Sequence, residues 1–134
     1  MITLEELRSI PHIYKQIQKK REQLLFLQEK ATAVPSPQGR EGDRVQVSPC
    51  NNANKYSDEA ADLNKEIIDD EIELIALQRE AEIFIRTVED RWAKKILRMR
   101  YIKCYTWDEI AELTIYDARS LQRIEYEATY ILRH

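Results

Sequence analysis

The sequence predicts an all-α fold in which a long antiparallel helical hairpin, coiled-coil-like in its pattern, is followed by a C-terminal three-helix unit containing a helix-turn-helix. Helix-breaking residues are few, since the 134 residues include only two glycines and four prolines. Apolar residues recur at alternating steps of three and four, which indicates helices, and no strand-like alternation competes with them. The length allows one small domain with an extended arm.

Residues 1–31 are predicted to form the N-terminal helices. The segment TLEE, from Thr3 to Glu6, has the form of a capping box, in which a threonine and a glutamate satisfy the first amide groups of a helix. Pro11 suits a first helical position, so we expect a longer helix to begin there. Lys20 interrupts the apolar seam of that helix. The seam residues are Ile10, Ile13, Ile17, Leu24, Leu27 and Ala31.

Residues 32–54 are predicted to be a flexible linker, because they hold three of the four prolines and both glycines. A connection of this length is typically functional or disordered. It contains Cys50, which is far from Cys104 in sequence, and two cysteines are too few for a metal cluster or a disulfide framework. We therefore expect two reduced thiols in a cytoplasmic protein.

Residues 55–89 are predicted to form one long oligomerisation helix, from about Tyr56 to Val88. Its apolar seam has a single polar member, Asp70. The isoleucines outside this seam are Ile68, Ile72, Ile75 and Ile83. They widen the apolar surface, so we expect the helix to pack on the first long helix and on a second copy of the chain, with a dimer favoured. The predicted oligomerisation residues are Leu63, Ile67, Ile68, Ile72, Leu74, Ile75, Leu77 and Phe84.

Residues 90–134 are predicted to form the helix-turn-helix unit, and capping residues mark the start of each of its three helices. Asp90 caps the first, and Thr106 begins the second with a capping box that Glu109 completes. Asp117 caps the third helix, which we expect to run toward the end of the chain.

The spacing of small and aliphatic residues in this unit is typical of a helix-turn-helix. Ala111 is the small residue where the second helix is crossed, and Leu121, ten positions later, closes the angle between the helices. Ile115 stands in the turn where glycine is usual, because the backbone there tends to have positive φ. Either the turn is reshaped, for example with Ile115 as a buried plug, or the helix-turn-helix interpretation is wrong.

The outward side of the last helix carries side chains suited to DNA. Arginine and glutamine match the edges of guanine and adenine, and an exposed helix start with an indole N–H suits a phosphate. The predicted DNA-binding residues are Lys103, Thr106, Trp107, Arg119, Ser120, Gln122, Arg123 and Tyr126. The alternative is an ordinary solvated face, in which Arg119 and Arg123 pair with Glu127, at i,i+4 spacing, or with the nearby Asp117.

The net charge of −3 is unevenly distributed along the chain. Residues 55–90 carry 4 basic and 12 acidic side chains, whereas residues 91–134 carry 9 basic and 6 acidic ones. A polyanion is therefore expected to contact the C-terminal end. That end is only mildly basic, so one copy should bind weakly and need dimerisation or a protein partner.

Several classes of function are disfavoured by what the sequence contains. His12 and His134 lie near the ends, outside any constellation with cysteine or carboxylates, so we expect no enzyme activity, no metal and no cofactor. No apolar run is long enough to span a membrane, which favours a cytoplasmic protein.

The C-terminal motifs resemble a known family. RMRYIKCYTWDEIAEL resembles the helix-turn-helix of sigma-70 region 4, and the longer pattern RYI…TWDEIAEL…YDARSLQRIEYEA is similar to sigma-region-4-like regulators of phages and prophages, including ArpU and RinA-like late activators. The resemblance covers about residues 88–130. The matching positions in the last helix are Tyr116, Asp117, Arg119, Leu121 and Arg123. The resemblance implies sequence-specific binding to double-stranded DNA and control of transcription in the bacterial host cell. It also makes the host RNA polymerase a candidate partner.

Two other interpretations stay open. A DNA-packaging adaptor of the small-terminase kind also joins a helix-turn-helix to a coiled coil, although there the DNA-reading unit usually comes first. A helical interaction module that binds only proteins would explain the same two-helix corner and the acidic helix.

Overall fold

The computed structural model describes the backbone of residues 1–32 and 48–133, and the side chains of residues 1–31 and 55–133. All regular structure in these ranges is helical, which confirms the predicted all-α class. The two long helices pack together, and a shorter helical unit follows them. The five α-helices are α1 (Leu4–Thr32), α2 (Ser48–Arg86), α3 (Arg91–Leu97), α4 (Trp107–Leu113) and α5 (Ala118–Ala128). A π-helical segment, Arg98–Ile102, continues α3, and a 3₁₀ turn, Tyr130–Arg133, ends the chain.

The N-terminal helix begins as predicted but does not break where predicted. The Glu6 amide donates to Thr3 Oγ1 at 3.1 Å and the Thr3 amide donates to Glu6 Oε1 at 3.0 Å, which confirms the capping box. The expected break at Pro11 is wrong, because α1 runs through it as one helix. Proline removes a helical hydrogen bond. The fully buried side chains of Leu7 and Ile10 just before it favour the continuous helix.

The second long helix is longer at its start than predicted. It begins at Ser48 rather than Tyr56, and Pro49 lies in its first turn, where the missing N–H costs little. It ends at Arg86, two residues before the expected Val88. Of the predicted linker, residues 33–47 lie outside the described part of the chain.

The chain divides into two compact units, Met1–Lys15 with Glu71–His134, and Gln16–Asp70. In the second unit, here called the hairpin unit, segments of α1 and α2 run antiparallel. Ile17 and Ile67 are buried there. Lys20 and Asp70, the two polar interruptions of the predicted seams, pair with each other at 2.7 Å between Nζ and Oδ2.

The first unit, here called the head unit, contains α3, α4 and α5 together with the start of α1 and the end of α2. Gln78 on α2 donates through Nε2 to the carbonyl oxygens of Tyr101 and Ile102, at 3.0 and 3.1 Å. These carbonyls lie at the end of the π-helical segment, where helical partners run out. One side chain of α2 therefore stabilises the end of the third helix. Within the described residues, no helix combines the length and apolar character that crossing a bilayer requires.

Candidate nucleic-acid interface

The corner between α4 and α5 is built around three fully buried aliphatic side chains. Ile96 of α3, Ile110 of α4 and Leu121 of α5 form this cluster. Ala111 and Ile124 are partly buried and pack against it. This packing holds α4 against α5, and both Ala111 and Leu121 take part in it. The corner between the two helices thus rests on a small apolar core.

The turn between α4 and α5 does not use Ile115 as a buried plug, because its side chain is 90% exposed. The turn is formed around Thr114, whose backbone is extended (φ −129°, ψ 177°). The Thr114 hydroxyl donates to the Ile110 carbonyl at 2.9 Å and accepts from the Tyr116 amide at 3.3 Å. No left-handed residue is needed, because a side chain supplies the hydrogen bonds that hold the turn.

All three predicted N-caps are formed. The Asp90 carboxylate accepts from the Ala93 amide at 3.0 Å, and the capping box of Thr106 is complete. Asp117 accepts from the Ser120 amide at 2.8 Å. Hydrogen bonds from the Ser120 side chain and backbone hold the pKa of the Asp117 carboxyl below its ordinary value. A lowered pKa keeps this cap ionised in mildly acidic solution.

One face of α5 is buried and the opposite face is open. Leu121, Glu125 and Thr129 are buried on the inner face. The predicted base-reading side chains lie on the outer side, with Ser120 half-buried beside its cap. The exposed members are Arg119, Gln122, Arg123 and Tyr126. Within the described residues, no ion pair joins Arg123 to Glu127, whereas the charge of Arg119 contributes to the lowered pKa of the Asp117 carboxyl.

A cleft of about 500 Å³ brings four of the predicted DNA-binding residues together within the head unit. Its cationic side chains are Arg8, Arg100 and Arg123, and its one acid is Glu125. Glu125 is already paired, since its Oε1 lies 3.4 Å from the Arg8 guanidinium. The cleft is therefore cationic on balance. Its lining residues are Arg8, Pro11, Arg100, Tyr101, Trp107, Gln122, Arg123, Glu125 and Tyr126.

Two arginines of this cleft, Arg8 and Arg100, were not predicted from the sequence. Arg8 lies on α1, far away in sequence, and only the packing of the head unit brings it to α5. Arg100 lies with its guanidinium carbon 4.8 Å from the Trp107 ring centre, and it donates to the Tyr105 carbonyl at 3.1 Å. Its proximity to the conspicuous Trp107 in sequence was a usable signal. Arg8 offered none, because its position depends on tertiary contacts.

The buried carboxylate of Glu125 was also missed. The Thr129 hydroxyl donates to the Glu125 carbonyl at 2.8 Å and lies 3.4 Å from Oε1. Burial, followed by the charge of Glu125, raises the pKa of the Tyr101 hydroxyl. Glu125 follows Leu121 by four residues, so the helical period alone would have placed it on the inner face.

The remaining predicted phosphate contacts lie at the connection between α3 and α4. Lys103 and Thr106 are exposed, whereas Trp107 is partly buried and packs on the core cluster. Cys104, between them, has positive φ (59°), the single such non-glycine residue in the described part of the chain. Burial raises the pKa of its thiol, which favours the unreactive protonated form. Because Trp107 packs on the core cluster, its side chain has a structural role in addition to any phosphate contact.

The predicted oligomerisation residues divide into two groups. Ile67, Leu74 and Phe84 are buried within the chain, and Leu63 and Leu77 are partly buried. The exposed group consists of Ile68, Ile72 and Ile75. Only this exposed group has surface left for a second copy, and its role stays a prediction.

No family model matches the chain, and comparisons with curated proteins and with solved structures give no match either. The resemblance to sigma region 4 therefore stays a prediction from its motifs.

Proposed function

We propose that the chain is a sequence-specific transcriptional regulator of a phage or prophage, which reads double-stranded DNA with its C-terminal helix-turn-helix and acts as a homo-oligomer, with a dimer favoured. The observation that carries the proposal is the outer face of α5, where Arg119, Gln122 and Arg123 are exposed together. The motifs shared with sigma-region-4-like regulators supply the phage setting. They also make host RNA polymerase a candidate second partner.

The chemistry of this face suits the major groove. Arginine can donate two hydrogen bonds to guanine, and glutamine can both donate to and accept from adenine. Arg8 and Arg100 line the same cleft, and we expect their charges to attract backbone phosphates. In this proposal, the side chains of α5 contact the bases, and the arginines around α5 position the helix on the DNA backbone.

A second candidate is a helical module that binds proteins rather than DNA. Leu113 and Ile115 favour it, because they are 61% and 90% exposed beside the turn. Exposed aliphatic side chains at one place are common at protein interfaces. A packaging adaptor of the small-terminase kind would share the DNA contact but not the transcriptional role.

Selection from a random pool of duplex DNA tests the proposal directly. We expect the full-length protein to enrich a short motif, and Arg123→Ala to lose about 1–3 kcal/mol of preference at one position of it. Arg91→Ala is the matched control, because Arg91 is an exposed arginine that belongs to α3 and not to α5. Failure to enrich any motif would overturn sequence-specific binding and favour the protein-binding module.

A further inference from the structure

The exposed isoleucines of α2 form an apolar stripe that no other element covers within the described residues. Ile68, Ile72, Ile75 and Ile83 are 48%, 61%, 53% and 59% exposed. The first three follow each other at steps of four and three, which is the spacing of a coiled-coil seam. Arg79 continues the same stripe four residues after Ile75 and is also exposed. The stripe is distinct from the seam that α2 buries within its own chain.

We propose that this stripe binds a second copy of the chain in antiparallel orientation, with Ile72 of each copy packed against Ile75 of the other. This arrangement deepens the proposed oligomer by giving its interface and its direction. The twofold axis then lies between residues 73 and 74. In the next layers, Ile68 of each copy lies opposite Arg79 of the other.

The charges along the stripe favour this direction. Opposite Ile68, the guanidinium of Arg79 lies near Asp69 of the second copy, while its aliphatic stem covers Ile68. In the same register, Lys65 of one copy lies opposite Glu82 of the other, which also pairs with Arg98 of its own chain at 2.9 Å between Oε1 and Nε. In a parallel pair each residue would face its own copy, so Arg79 would oppose Arg79 and Lys65 would oppose Lys65. Like charges directly opposite each other are unfavourable, and opposite charges also specify the pairing.

The arrangement has a consequence for DNA, which rests on the proposed function. Arg86, the last residue of α2, would lie roughly 38 Å from its counterpart along the shared axis, at 1.5 Å per residue. Dimeric helix-turn-helix proteins bind half-sites about 34–36 Å apart. The two Arg86 residues, after which the DNA-reading units begin, are thus separated by a distance of the same order as the half-site spacing.

Two measurements on the full-length chain test the interface. Light scattering across a range of concentrations should show a dimer that Ile72→Glu and Ile75→Glu convert to monomer. Ile115→Glu is the control, because it changes an exposed isoleucine outside the stripe. Arg79→Glu should weaken the dimer, and adding Asp69→Arg should restore part of it. Retained helicity by circular dichroism shows that each variant still folds.

Orientation is measured by the distance between spin labels at Arg86→Cys, in a chain whose Cys50 and Cys104 are replaced by serine. The antiparallel arrangement predicts a separation of roughly 38 Å. A parallel pair predicts a short one, near the interaxial distance of about 10 Å plus the labels. A short distance, or a chain that stays monomeric, overturns this proposal. Either result leaves motif enrichment by a monomeric DNA reader intact, so the two proposals fail separately.

Discussion

The head unit and the hairpin unit hold themselves together in different ways. In the head unit, three short helices each start at a side-chain cap and meet at the fully buried Ile96, Ile110 and Leu121. In the hairpin unit, two long helical segments bury a narrow seam that includes Ile17 and Ile67. Lys20 crosses it to pair with Asp70 and, at a longer distance, with Glu66. Short helices need caps and a shared core, because they are marginal alone.

The comparison also separates two kinds of exposed surface. The head unit leaves polar and cationic side chains open on α5, which suits a polyanion. The long helix α2 leaves isoleucines open, which suits an apolar partner. The described part of the molecule therefore exposes two surfaces of different chemistry.

The largest effect is expected from the core of the head unit. Leu121→Ala should lower the free energy of unfolding by about 2–5 kcal/mol, because it removes a fully buried side chain and leaves a cavity. Leu113→Ala, at a side chain that is 61% exposed, is the matched control and should change it by less than about 0.5 kcal/mol. Urea denaturation followed by circular dichroism measures both. Equal effects would show that the small core does not hold the head unit.

A smaller effect is expected from a single cap. Asp90→Ala removes the acceptor for the Ala93 amide and should cost about 1 kcal/mol. Asp90→Asn keeps an acceptor oxygen and should cost less. The same denaturation experiment compares the two variants. A loss that is the same for both would assign the effect to the charge of Asp90 rather than to its hydrogen bond.

The smallest effect is expected from the ion pair of the hairpin unit. Lys20→Met and Asp70→Leu should each lower the melting temperature, and a double-mutant cycle should show coupling between them. The hydrogen bond to Asp70 raises the pKa of Lys20, so this stabilisation is present at neutral pH and is lost as the pH rises through that raised value. Thermal melts at neutral and strongly alkaline pH measure it. A coupling energy of zero would show that this ion pair does not stabilise the hairpin unit.

Local signals predicted much of the fold. The caps at Thr3, Asp90, Thr106 and Asp117 and the wedge of Ala111 and Leu121 follow from short-range spacing, and all of them are formed. Helix periodicity also separated the isoleucines that stay exposed on α2 from most of its buried seam.

Features that depend on tertiary packing were not predictable in the same way. Pro11 ends no helix, because buried neighbours outweigh its local preference. Lys20 and Asp70 each interrupt an apolar seam in the sequence. Only the antiparallel alignment of the two helices shows that the two side chains form an ion pair. Arg8 joins the candidate interface through a contact across 117 positions of sequence, to Glu125. Spacing within a single segment carries no information about such contacts.

The salt dependence of binding to an enriched duplex is the most direct test of the central claim that the head unit reads DNA. Fluorescence anisotropy should show that the logarithm of the association constant falls linearly with the logarithm of the salt concentration, because bound arginines release counterions from phosphates. Arg123→Ala should reduce the preference for the enriched sequence, whereas Arg91→Ala should leave it unchanged. Absence of binding at low salt, or an affinity independent of both salt and sequence, would contradict the account.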